Sequence, residues 1–84
     1  MTYEYGCPAR SLAGHDKDQY FIILTDEGEY VTISDGKTRK VENPKRKNKK
    51  HIQAGKTPLL AERPATDEAI RKELENYLRS HCGI

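Results

Sequence analysis

Two rhythms of apolar and polar residues run along this chain, and the change from one to the other divides it. The stretch "QYFIIL" (19–24) contains a continuous β-prone apolar run, Tyr20 to Leu24. "EYVTIS" (29–34) alternates, with Val31 and Ile33 on one side and Tyr30, Thr32 and Ser34 on the other. That period of two belongs to a half-buried strand. Asp26, Glu27 and Gly28 separate the two segments as a three-residue loop whose glycine can supply a positive φ. Asp35-Gly36 then gives a two-residue hairpin signal leading into a third strand, Lys37 to Val41. Further strands are predicted at 8–12 and 51–53. Five short strands predict a small barrel, because closing a sheet removes its unpaired edges.

The rhythm then lengthens. "AGKTPLLAERPA" (54–65) contains Pro58 and Pro64 and reads as an irregular linker, with Leu59 and Leu60 expected to pack on the barrel. Thr66 is a good N-cap, and Asp67 and Glu68 follow in the first turn, where the helix dipole favours anions. Ala69, Ile70, Leu74, Tyr77 and Leu78 form one apolar stripe on a helix predicted over 66–82, with Gly83 as its stop. A helix of this length is marginal alone in water and needs a surface. The expected surface is the barrel; a partner's groove or a second copy of the chain is the alternative. The chain therefore divides into a barrel (1–53), a linker (54–65) and a C-terminal helix (66–82).

Composition sharpens this picture in one respect. With 84 residues, 35% of them hydrophobic, one Phe and no Trp, the core must be thin. The net charge of +2 conceals a strong segregation. Residues 1–36 sum to −5, residues 37–51 to +7 and residues 52–84 to zero. A concentrated basic block is the electrostatic footprint of nucleic-acid binding, whereas a diffuse +2 is not. The block culminates in "NPKRKNKKH" (43–51), with Lys45, Arg46, Lys47, Lys49 and Lys50 in six positions.

Other chemistries find less support. "GKT" occurs at 36–38 and 55–57, but a phosphate-binding loop needs another glycine where Val31 and Lys50 stand. Both are read as turn glycines. His15, His51 and His81 are scattered, and adjacent His81-Cys82 suits one tetrahedral metal site poorly. No nucleophile lies in an activating context, so no enzyme, metal or cofactor is expected. Cys7 and Cys82 lie far apart with no CxxC spacing, and the first residues do not read as a signal peptide. Free thiols in a cytoplasmic protein are expected, with no membrane span.

The order of parts resembles the KOW-domain RNA-binding proteins, and within them small bacterial members similar to a eukaryotic and archaeal large-subunit ribosomal protein family. The resemblance covers residues 6–53. It rests on the loop Gly14-His15-Asp16-Lys17, the turn Asp35-Gly36-Lys37 with Arg39, and the run from Pro44 to His51. It implies a mainly β fold, an SH3-like five-stranded barrel, binding RNA, chiefly ribosomal, without catalysis. KOW loops usually read Gly-x-x-Lys-Gly, and here Asp18 replaces the second glycine. Asp is among the few other residues that tolerate a left-handed conformation, although its carboxylate repels phosphate.

The expected function is docking of structured RNA or the ribosome through the phosphate backbone, by a monomer. The candidate RNA-binding residues are Arg10, His15, Lys17, Lys37, Arg39, Lys40, Lys45, Arg46, Lys47, Asn48, Lys49, Lys50 and His51. Strand alternation would place Lys37 and Arg39 on one face and Lys40 on the other. No aromatic lies within the basic run, and His51 is its nearest candidate for base stacking. The competing expectation is a protein-interaction adaptor, in which the C-terminal helix engages a partner and the basic run is a solvated spacer.

Overall fold

The computed structural model describes residues 2–81, in which a five-stranded antiparallel sheet carries one C-terminal helix. In chain order these are β1 (Pro8–Ser11), β2 (Tyr20–Asp26), β3 (Tyr30–Ser34), β4 (Lys45–Asn48), β5 (Ile52–Ala54) and α1 (Asp67–His81). A single 3-10 turn, Lys49–His51, joins β4 to β5. Across the sheet the order is β4-β3-β2-β1-β5. The edges β4 and β5 do not pair with each other, so the sheet is open where a closed barrel was expected. The 3-10 turn carries the chain from one edge to the other, after which β5 pairs with β1, and the His51 carbonyl extends that ladder by accepting from Leu12 N–H at 2.8 Å.

The apolar run in β2 is buried on both sides, which is why it shows no alternation. Phe21 and Ile23 face inward with Cys7, Ala9, Val31, Ile33 and Ile52. Ile22 faces outward and packs with Leu60, Ile70 and Leu74. The register with β3 shifts between Ile23 and Thr25, so Thr25 pairs with Thr32 on the outer face and Asp26 with Val31 on the inner. Such a bulge adds one residue and re-aims those beyond it.

The meander departs from expectation at its third strand. Residues 37–41 are turn and bend, and the fourth strand of the chain is the basic run itself. Local hydrogen bonds hold the turn in place of a ladder. Asp35 Oδ1 accepts from the N–H groups of Lys37 and Arg39, both at 2.9 Å, and the Arg39 carbonyl accepts from Asp35 and Gly36. Short acceptors such as Asp and Ser compete with the ladder in this way. Lys37, Arg39 and Lys40 therefore do not alternate across strand faces.

The helix lies across the outer face of β2, as its stripe predicted. Thr66 caps it, its Oγ1 accepting from Ala69 N–H at 3.1 Å. Ile70 and Leu74 are buried against Ile22 and Leu60, and each such side chain contributes about 2 kcal/mol by leaving water. Tyr20 and Tyr77 meet with ring centroids 6.0 Å apart. α1 also clamps the 35–41 turn: Arg71 donates to the Gly36 carbonyl at 2.7 Å, and Asp67 Oδ1 accepts from Val41 N–H at 2.8 Å. The linker's Leu60 is buried, and Leu59 N–H donates to the Gly6 carbonyl at 2.8 Å. Cys7 is a free, buried thiol. Cys82 and Gly83, expected as the helix end and its stop, lie outside the described residues.

Candidate nucleic-acid interface

Register decides what each cation of the basic run can do. Lys45 pairs with Ile33 and Lys47 with Val31, which puts both lysines on the inner face. Arg46 pairs with Thr32 and Asn48 with Tyr30, on the outer face.

The inner lysines meet one carboxylate. Asp16, from the β1–β2 loop, accepts from Lys45 Nζ at 2.5 Å and from Lys47 Nζ at 2.9 Å. Ser11 Oγ also donates to it at 2.6 Å, and Lys47 Nζ reaches the Ala13 carbonyl at 2.9 Å. Burial alone would raise the Asp16 carboxyl, but the hydrogen bonds from Lys45, Ser11 and Lys47, with the Lys47 charge, hold it well below the usual range. A buried charge persists when it is paired and its remaining lone pairs are satisfied, as here.

Lys49 is engaged in the same way, 2.7 Å from Asp26. Asp26 also accepts from the N–H groups of Tyr3 (2.8 Å) and Gly28 (3.0 Å). The Lys49 hydrogen bond, followed by those two, lowers its carboxyl to about 2. Three of the five cations in the run thus form internal ion pairs. A count of lysines in sequence cannot register this, because the partners come from the β1–β2 loop and the end of β2.

Arg46 and Lys50 point to solvent. The Arg46 guanidinium lies over the Tyr30 ring, 4.3 Å from its centroid, with Glu27 3.5 Å from Nε. Asn48 caps the 3-10 turn, its Oδ1 accepting from Lys50 N–H at 2.9 Å. His51 is exposed beside Lys50.

The β1–β2 loop presents His15 and Lys17 to solvent, between Gly14 at φ +88° and Asp18 at φ +71°. Asp18 thus takes a left-handed conformation, which Asp tolerates better than most residues other than glycine. Its carboxylate pairs with Arg10 at 2.6 Å, and that hydrogen bond lowers its pKa. The β3–β4 connection exposes Lys37 and Lys40 and half-buries Arg39. The two loops are neighbours: His15, Arg39 and Lys45 line one depression of about 230 Å³ with Asp16 and Asp35.

Apart from Arg10, which pairs with Asp18, and half-buried Arg39, the candidate residues separate into two sets. Lys45, Lys47 and Lys49 hold the fold, with Asn48 as a cap. His15, Lys17, Lys37, Lys40, Arg46, Lys50 and His51 are exposed. Sequence reasoning missed Asp16 and Asp26 as the anchors of the run, and Tyr30 as the aromatic beneath it. The alternation within "KRKNK" was the available signal, since it puts every second cation on one face of a strand.

Among the described residues, no helix is long and apolar enough to cross a membrane. No protein-family model matches the chain, and no curated protein matches it in sequence.

Proposed function

We propose that this chain is a non-catalytic, cytoplasmic RNA-binding protein that docks structured RNA, ribosomal in the first instance, through the phosphate backbone. The observation that carries the reading is the meeting of the β1–β2 and β3–β4 loops at one depression that His15 and Arg39 line, with Lys17, Lys37 and Lys40 exposed on the same loops. Folded turns fix the backbone that carries these cations, so binding has only their side chains left to order. Phosphate contacts of this kind position a protein and favour recognition by shape. The likeness of three motifs to KOW proteins supports ribosomal RNA as the target class.

The adaptor reading draws less support. It needs a free apolar stripe on α1, whereas Ile70 and Leu74 are buried against the sheet. It also needs a solvated spacer, whereas residues 45–48 form a strand.

The test compares wild type with a variant in which Lys17, Lys37, Lys40 and Lys50 are all changed to Gln. Lys45, Lys47 and Lys49 are left in place, because replacing them would break buried pairs. Ribosome co-sedimentation and purified-RNA binding are measured at low and high salt. Four phosphate contacts give a log–log salt slope of roughly −2.8 to −3.6, which the variant should largely lose. No binding by wild type, or an unchanged slope in the variant, overturns the reading.

A further inference from the structure

We propose that Arg46 and Tyr30 form a stacking platform for one unpaired RNA base, an inference that rests on the RNA-binding reading above. The Arg46 guanidinium lies over the Tyr30 ring at 4.3 Å, and 64% of the Arg46 side chain is exposed. Its face away from the ring is therefore open. The pair stands on the outer face of β3 and β4, and the apolar cluster that α1 covers takes in Tyr5 and Tyr20 but not Tyr30.

Local charge argues for a base here and against a phosphate. Glu27 sits 3.5 Å from Arg46 Nε. The arginine's charge is thus partly offset, and a phosphate would meet the Glu27 carboxylate. What the site still offers is a flat, weakly hydrated cation fixed in orientation by a ring beneath it and a carboxylate at its edge. That is the surface on which a nucleobase stacks. Beside it, the hydroxyls of Thr32 and Thr25, 2.7 Å apart, can meet the polar edge of a base. Lys50, exposed beyond the end of β4, supplies charge for the phosphate of the same strand. The platform would add a preference for unpaired nucleotides to a surface that otherwise reads only backbone.

The experiment measures binding of a short oligouridylate and of its abasic counterpart to wild type, Arg46→Lys and Tyr30→Phe across a salt series. Arg46→Lys keeps the charge and loses the plane; Tyr30→Phe keeps the ring. Wild type and Tyr30→Phe should favour the base-bearing strand by about tenfold, the worth of one stacked base. Arg46→Lys should lose that preference while its salt slope stays unchanged. The inference is overturned if wild type binds both strands equally, or if Arg46→Lys keeps the preference; RNA binding itself then still stands. If wild type binds no RNA of any kind, the RNA reading and the platform fail together.

Discussion

Lys47 and Asp16 tie the open side of the sheet together. Lys47 Nζ lies 2.9 Å from Asp16 Oδ1, and each side chain is only 10% exposed. One residue belongs to edge strand β4 and the other to the β1–β2 loop, so the pair spans a gap that no backbone ladder crosses.

This makes Asp16 a stability residue. Asp16→Asn leaves Lys45 and Lys47 against a neutral amide in a poorly solvated place, and should cost about 3 kcal/mol in urea unfolding. Arg46→Gln removes an exposed pair and should cost under about 1 kcal/mol. Equal costs would show that the Asp16 pair does not hold the fold.

Stability should also depend on pH in the acid range. The folded-state carboxyls of Asp16 and Asp26 lie below their unfolded value of roughly 3.9. As pH falls, the unfolded chain takes up these protons first, so stability rises with pH across this window. It should be complete above about pH 5 and decline down to about 2, where Asp26 protonates in the folded state. Urea midpoints measured against pH should fall less steeply for Asp26→Asn than for wild type. Identical pH profiles would contradict the assignment.

Gly36 marks where α1 meets the β3–β4 turn. It has φ +74°, and an added Cβ would lie 2.4 Å from the Asp67 carbonyl oxygen. Gly36→Ala must either strain that turn or push the helix away, and should cost about 2 kcal/mol. Gly28, at φ +91° with nothing within 4 Å, isolates the backbone effect. Gly28→Ala should therefore cost less than Gly36→Ala in the same thermal unfolding experiment.

Asp18 tests the left-handed position in the β1–β2 loop. Its side chain is 57% exposed and its pair with Arg10 is screened by solvent. Asp18→Gly relaxes the left-handed φ and loses that pair, two small and opposed effects, so stability should change by less than about 1 kcal/mol. If the loop carboxylate repels phosphate, the same variant should bind RNA more tightly, most visibly at low salt.

Much of the fold was legible because its causes are local. The period of two in Tyr30–Ser34, the Thr66 cap and the apolar stripe from Ala69 to Leu78 depend on neighbours along the chain. The period of 3.6 likewise implied that Ile70 and Leu74 share a face, and it is this face that Ile22 and Leu60 cover. The strand expected at 37–41 failed for a reason also written nearby: Asp35 and Ser34 hold that turn with their own side chains.

"NPKRKNKKH" divides the two kinds of knowledge. By itself the sequence determined that the run is basic and that alternate side chains oppose each other wherever it is extended. Only the tertiary structure decided which side faces the core and which carboxylates wait there. Asp16 lies 31 residues from Lys47, and Asp26 lies 23 from Lys49. Ion pairing depends on distance in space and on desolvation, and neither is a property of chain order. For that reason a run that counts as five exposed charges in sequence presents two in the folded protein, Arg46 and Lys50.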